Sequence, residues 1–178
     1  HLAGNAPEIV LTGVDIGAYG MDLKDKPPLS QLIREILFHV PELKRLRLSS
    51  IDPIDVDEDL LTLYGNESRL MPHLHLSIQA GDDIILKRMK RRHTTAYVRN
   101  LCTKARARRS DIVFGADLIA GFPTESETMF ENTLSHVKSC GFTFLHVFPY
   151  SERPGTPAER MPTVPVSVRK LRARHLRT

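Results

Sequence analysis

The sequence predicts a protein of the α/β class, a partial parallel β/α barrel of about five β/α units. Three observations support this prediction. Short apolar runs rich in β-branched residues alternate with segments of helical periodicity along the 178 residues. Glycines and polar residues recur where the apolar runs end, as at the active-site rim of a barrel. No run is followed by Gly-x-Gly-x-x-Gly, which disfavours a dinucleotide-binding sheet.

Five segments have the composition of strands that end in small or polar residues. They are EIVLTG (8–13), LRLSSI (46–51), HLHLSI (73–78), IVFGADLIAG (112–121) and TFLHVFPY (143–150). Helical stretches between them imply right-handed crossovers, and therefore parallel strands with helices outside. The carboxyl ends of parallel strands meet on one rim, so we expect the functional site there.

Apolar periodicity predicts three helices around this sheet. In the first, apolar residues recur at helical spacing over 29–40, and a second begins near Thr94 or Thr95. The third is predicted to start at residue 125, because Thr124 and Glu127 have the spacing of a capping box. The Pro-rich stretch 149–165 is predicted to be an irregular arm.

Composition limits the class of protein. The 41% of hydrophobic residues can form the core of one domain, or of part of one. No apolar run approaches the ~20 residues of a membrane span, and the N-terminal ten residues lack a signal-peptide pattern. Cys102 and Cys140 do not have metal-site or disulfide-framework spacing. These features predict a soluble protein of the reducing cytoplasm.

The charge distribution is uneven, although the net charge is only +4. Acidic residues concentrate in 52–59, whereas basic residues concentrate in 87–92, 104–109 and 169–177. Such basic runs are typical of surfaces that bind polyanions. Solvated helix faces are the alternative interpretation of the same runs.

The histidines are interpreted structurally. His73 and His75 alternate with leucines, so both should point to the same side of their strand, toward the barrel interior. Two histidines at this spacing can bind a metal, but no third ligand stands nearby in the sequence, so no metal site is predicted. His146 is predicted to be a packed core residue, and the two cysteines to be small hydrophobes.

Five segments together resemble the radical S-adenosylmethionine domain of the tRNA methylthiotransferases. They are EIVLTGVDIGAYG, LRLSSIDP, HLHLSIQAGDDIILKRMKRRHT, DLIAGFPTES and FPYSERPGTPAERM. The sequences of these segments are most similar to those of the branch that modifies threonylcarbamoyl-adenosine beside the anticodon. The resemblance implies a six-unit barrel, with units two to six in residues 1–178. It also implies S-adenosylmethionine as the cofactor, tRNA as the partner and a 4Fe-4S cluster held by Cys-x-x-x-Cys-x-x-Cys.

The chain departs from the family pattern in its cysteines, because two cannot supply three thiolate ligands to a cluster. The cluster loop and the flanking domains of the family are not in this sequence. We therefore expect a fragment that is catalytically inert by itself. In a complete enzyme, the resemblance implies a 5′-deoxyadenosyl radical that removes hydrogen from an adenine carbon before the methylthio group is installed. An incomplete barrel leaves open sheet edges, which predicts self-association.

The resemblance also assigns cofactor-binding positions to residues at the strand ends, and these are Gly13, Asp15, Ser50, Gln79, Arg91 and Asp117. Arg91 suits the methionine carboxylate of the cofactor. Asp117 interrupts an apolar strand, where a carboxylate needs a partner. The structural alternatives are a turn for Gln79, a solvated helix face for Arg91 and a hydrogen bond for Asp117. No residue is predicted to act as a general acid, a general base or a nucleophile.

The loop after HLHLSI has predicted structural roles as well. Gly81 is expected to let the chain turn, and Asp82 or Asp83 to cap the following helix. Asp52, which precedes Pro53, is interpreted as a turn-forming residue.

Two other functions remain open on the sequence. One is a different radical S-adenosylmethionine enzyme, such as a ribosomal-protein methylthiotransferase or a coproporphyrinogen oxidase-like protein. The other is a non-enzymatic RNA-binding α/β module descended from the same core. A Cys-x-x-x-Cys-x-x-Cys encoded upstream would exclude the module.

Overall fold

The computed structural model describes residues 6–177 and confirms a partial parallel α/β barrel. The strands are β1 (Glu8–Leu11), β2 (Arg45–Leu48), β3 (His73–Gln79), β4 (Val113–Ala120) and β5 (Phe142–Pro149). The helices are α1 (Leu29–His39), α2 (Glu58–Asn66), α3 (Asp83–Arg88), α4 (Thr95–Arg108), α5 (Glu127–Cys140) and α6 (Val166–Arg177). Residues 1–5, part of the N-terminal stretch that lacks a signal pattern, and residue 178 lie outside the described residues.

All strand pairings are parallel, and the strands follow one another in chain order. β1 pairs with β2, while β3, β4 and β5 form a three-stranded sheet. Single parallel bridges from Leu46 to Leu70 and from Ile51 to Leu76 connect the two groups. Among the described residues the arc does not close, so the outer edges of β1 and β5 have no strand partner.

The main core lies between the convex side of this arc and the helices. The apolar face of α1 buries Ile33 and Leu37, and the second strand buries Leu46 and Leu48. Burial of such side chains stabilises the fold by roughly 1.5–3 kcal/mol each. A smaller cluster joins the start of α3 to Phe122, and residues of the arm, including Met161, pack against it. The arm thus covers one end of the arc, and it contains a short 3₁₀ turn at Pro157–Arg160.

The start of α5 differs from the prediction. The helix begins at Glu127, and the hydroxyl of Ser126 caps it by accepting the N–H of Met129. Glu125 turns inward instead, where its carboxylate accepts the N–H of Gly121 and pairs with Arg172. Those buried partners hold residue 125 outside the helix, so the predicted capping box does not form. The predicted start of α4 is correct, because Thr94 caps it.

Many basic side chains bind partners within the chain, some buried and some at the surface, which the charge runs alone do not reveal. Arg169 and Arg172 are buried, and Arg169 donates to the carbonyls of Val164 and Tyr150. Arg109 donates to three carbonyls at the end of α2 and the loop behind it. Lys104 and Arg108 pair with Glu58. The solvated-face interpretation is therefore wrong for the buried arginines of 169–177, and so is a polyanion-binding role for them.

No helix within residues 6–177 is long and apolar enough to span a lipid bilayer.

Candidate functional site

A cleft of about 360 Å³ opens at the carboxyl ends of β3 and β4. Its walls are the end of β3, the end of α3, the loop after β4 and the arm, represented by Gln79, Arg91, Phe122 and Pro157. This volume is in the range of small-molecule sites, which run from about 300 to 1,000 Å³. The carboxyl ends of the parallel strands therefore lie on one concave rim, as the sequence predicted.

Gln79 closes β3 with a left-handed backbone, at φ of 66°. Non-glycine residues rarely adopt this conformation, and it costs roughly 1–2 kcal/mol. The glycine two positions later has another purpose, because a Cβ at Gly81 would lie 2.6 Å from the Cα of Thr133. Gly81 thus permits close packing of the loop on α5. The turn that was predicted at Gly81 is made instead by the left-handed backbone of Gln79. Asp82, one of the two residues predicted as the cap, caps α3.

Arg91 is held at the cleft by two acceptors. Its Nη2 donates to the Oδ2 of Asp52 at 2.8 Å and to the carbonyl of Ser77 at 2.5 Å. Its Nε is buried and has no hydrogen-bond partner among the described residues. A buried guanidinium N–H without a partner is costly.

A chain of charges extends from Arg91 toward the loop after β1. Arg92 pairs with Asp55 at 3.0 Å, and Asp52 lies between Arg91 and Arg92. Burial raises the pKa of Asp55, and the carboxylates of Asp52 and Asp15 add to this against the positive charge of Arg92. Asp52 also caps a 3₁₀ turn through the N–H of Ile54, which agrees with its predicted role in a turn.

Asp117 lies on the concave face one layer below the rim. Its carboxylate accepts from His75 Nε2 at 3.0 Å and from Ser77 Oγ at 3.1 Å, and His146 Nδ1 lies 3.3 Å away. Burial raises the pKa of Asp117, but the hydrogen bonds and charges of its three neighbours outweigh burial and hold the pKa below its ordinary value. Ser77 connects this group to the cleft, since its carbonyl receives Arg91.

The structure thus brings some of the predicted cofactor residues together and leaves others apart. Gln79 and Arg91 line one cleft, and Asp117 lies beneath it. Asp15 is exposed, but its charge reaches Asp55 in the neighbouring charged cluster. Gly13 and Ser50 follow β1 and β2 and are not among the described residues that line the cleft.

The prediction for His146 is wrong. Its side chain is 65% exposed on the concave face, between the exposed rings of Phe144 and Phe148. The apolar residues around His146 in TFLHVFPY suggested packing in the core. Among residues 6–177, however, nothing covers this face of β5. The alternation of side chains along the strand could have predicted that His146 shares a face with Phe144 and Phe148. It could not have predicted the register of β5 on β4, which decides the partners of His146.

The family model of the Radical SAM superfamily matches residues 2–137. The chain is 56% identical, over 96% of its length, to threonylcarbamoyladenosine tRNA methylthiotransferase MtaB of Rickettsia prowazekii, and covers 40% of that protein. It is 42% identical, over 95% of its length, to tRNA-2-methylthio-N(6)-dimethylallyladenosine synthase of Cereibacter sphaeroides, and covers 38% of it. The chain therefore spans about two fifths of the length of these curated relatives.

A solved structure supports the fold. Coproporphyrinogen III oxidase of Escherichia coli, a radical SAM enzyme, superposes with a TM-score of 0.65 over 86% of this chain and 37% of its own. At 19% identity, this likeness bears on architecture and not on substrate. The family match over most of the chain, the parallel arc and the two relatives agree with one another. The chain belongs to the Radical SAM superfamily and is homologous to tRNA methylthiotransferases.

Proposed function

We propose that this chain supplies the barrel of a tRNA methylthiotransferase, which adds a methylthio group to a modified adenosine beside the anticodon. The observation that carries the proposal is the 56% identity to a threonylcarbamoyladenosine tRNA methylthiotransferase along nearly the whole chain. The similarity to this relative extends over 96% of the chain. A cytoplasmic location follows from a tRNA substrate and is part of the proposal.

The cleft suits S-adenosylmethionine in size and in chemistry. The free Nε–H of Arg91 would bind the methionine carboxylate, and Gln79 would contact the cofactor from the rim. Asp117, with Gly13, Asp15 and Ser50 from the neighbouring strand ends, completes the proposed binding set. When bound and reduced by one electron, S-adenosylmethionine supplies radical chemistry at an unactivated C–H bond. The residues of this chain bind and orient the cofactor.

The residues of this chain do not fit an iron–sulfur cluster. Such clusters are held by cysteine thiolates, and this sequence has only Cys102 and Cys140. Both are buried, on α4 and α5 outside the arc, and neither lines the cleft. Any cluster ligands would therefore come from outside these 178 residues.

The basic run 87–92 is the best-placed surface for tRNA phosphates. Arg88 and Lys90 line the cleft, and Lys87 is exposed beside it, whereas Arg92 pairs with Asp55. Basic side chains at the mouth of a site attract a polyanion and position it over the reacting centre. The runs 104–109 and 169–177 contribute less, because several of their side chains are committed to internal partners.

A chimera tests the proposal directly. The 178 residues would replace the matching segment of the Rickettsia prowazekii relative, and the purified, cluster-reconstituted chimera would be assayed with tRNA by nucleoside mass spectrometry. We expect methylthiolated adenosine, and at least about a 5-fold lower rate for Gln79→Ala and for Arg91→Gln, because each removes a cofactor contact worth roughly 1 kcal/mol or more. Lys138→Gln, an exposed change on α5, is the matched control.

The two parts of the proposal can fail separately. A folded chimera that binds S-adenosylmethionine but produces no methylthiolated nucleoside would overturn the assignment to tRNA methylthiolation. Full activity in Gln79→Ala and Arg91→Gln would instead show that the cleft is not the cofactor site. Calorimetry on the 178-residue chain alone should detect little S-adenosylmethionine binding, because the cluster that anchors the cofactor has no ligands here.

A further inference from the structure

Three neighbouring strands place two imidazoles and one carboxylate at a single point on the concave face. His75 comes from β3, Asp117 from β4 and His146 from β5. The Oδ1 atom of Asp117 lies 3.0 Å from His75 Nε2 and 3.3 Å from His146 Nδ1. One nitrogen or oxygen from each residue lies within 4.8 Å of the other two. No residue of this set is adjacent in sequence, so only the strand register creates it.

The two separations from the carboxylate oxygen suit a metal ion. Ligand bonds of about 2.0–2.2 Å place neighbouring donor atoms about 3.0–3.5 Å apart, which matches both distances to the carboxylate oxygen. Two imidazoles and one carboxylate are a donor set that Zn²⁺ and Fe²⁺ accept, with the remaining coordination positions open. Calcium and magnesium prefer oxygen ligands, so this set disfavours them.

The surrounding residues support the three side chains in these positions. Gly115 makes room for the ring of His75, since a Cβ there would lie 2.3 Å from His75 Nδ1. Ser77 donates to the second carboxylate oxygen of Asp117 and fixes its plane. Such supporting hydrogen bonds orient ligands in metal sites. His146 is exposed, so solvent and ions reach the group from the open side of the arc.

We propose that His75, Asp117 and His146 bind a divalent first-row transition metal ion, Zn²⁺ or Fe²⁺. The site lies beneath the cofactor cleft and uses no cysteine, so it is separate from any iron–sulfur cluster. With three protein ligands, it keeps open positions for water or for a ligand in the cleft. This inference goes beyond methylthiotransfer and does not depend on it.

The test uses the 178-residue chain without a polyhistidine tag, with Co²⁺ and Zn²⁺ as probes. We expect one equivalent of Co²⁺ to give d–d absorption without a thiolate charge-transfer band, and Zn²⁺ to displace it. His146→Ala, an exposed and therefore well-tolerated change, should weaken Zn²⁺ binding more than about 100-fold, because loss of a supporting partner alone costs about 10- to 100-fold. Ser77→Ala should weaken it about 10-fold.

His73→Ala is the matched control. His73 lies two residues before His75 on the same side of β3, with the two ring centroids 6.0 Å apart, but does not belong to the group. Zn²⁺ affinity should stay within about twofold in this variant. Absence of stoichiometric Co²⁺ or Zn²⁺ binding would overturn the site. Binding that survives His146→Ala and Asp117→Asn, or that is lost in His73→Ala, would show that other residues hold the ion.

Discussion

At the residue scale, Gln79 combines backbone strain with a position on the wall of the cleft. Its left-handed φ of 66° is uncommon for a residue with a side chain, and the strand ends at this point. Strained residues persist where the surrounding structure over-determines them, and such residues concentrate at ligand sites. Glycine would relieve the strain but would remove the polar side chain from the cleft. The position therefore trades stability for a fixed donor and acceptor.

A pair of substitutions at this position separates conformation from chemistry. Gln79→Val should lower the free energy of unfolding by about 1–2 kcal/mol relative to Gln79→Asn, because asparagine tolerates the left-handed region and β-branched residues do not. Urea denaturation of both variants measures the difference. Equal stability of the two variants would show that residue 79 has an ordinary backbone conformation.

Arg91 shows how one side chain can join the two parts of the site. Its guanidinium binds Asp52, which follows the strand end after β2, and the carbonyl of Ser77, whose hydroxyl donates to Asp117. The sequence could identify Arg91 as basic, but four basic neighbours made the choice among them ambiguous until the contacts were known.

At the element scale, helix starts are set by side chains that the local pattern does not fully specify. The sequence contains two candidate caps before α5, Thr124 and Ser126. Thr124 is left-handed, at φ of 70°, and donates its N–H to the carbonyl of Pro162 in the arm. The arm thus draws residue 124 away from the helix, and Ser126 becomes the cap.

The assignment of the cap predicts a position-specific loss. Ser126→Ala should lower the free energy of unfolding by about 1 kcal/mol, because the N–H of Met129 loses its acceptor. Ser135→Ala, an exposed change within the same helix, should stay within about 0.5 kcal/mol. Thermal or urea unfolding checks both. If the Ser135 variant loses as much as the Ser126 variant, the cap contributes nothing measurable.

At the scale of the whole molecule, the open arc exposes a surface that a closed barrel would cover. Phe144 and Phe148 are each 55% exposed on the concave face of β5, and the outer edge of that strand is unpaired among residues 6–177. Exposed strand edges and apolar patches pair with whatever surface is available. We therefore predict that self-association, expected from an incomplete barrel, uses this face of β5.

Sedimentation velocity over a range of concentrations tests this location. We expect concentration-dependent association of the 178-residue chain, and its reduction in the double variant Phe144→Ser and Phe148→Ser, because the patch loses its apolar area. Phe38→Ser, a more exposed change on α1, should leave the association unchanged. A single monomeric species at all concentrations would contradict the prediction.

The sequence by itself determined the class of fold, the order of strands and helices, the parallel arrangement and the rim that carries the cleft. These follow from hydrophobic periodicity and from crossover geometry, which are local or nearly local properties. The family resemblance likewise depends on residues within short segments, such as Gln79 after HLHLSI.

Only the tertiary structure decided which side chains meet. Strand register brings His146 and His75 to Asp117, across separations that no sequence spacing encodes. Packing likewise decides that Arg169 and Arg172 are buried structural residues although they belong to a basic run. The physical reason is that side-chain partners depend on long-range pairing, and a shift of one residue in a parallel strand would send every one of these side chains to the opposite face.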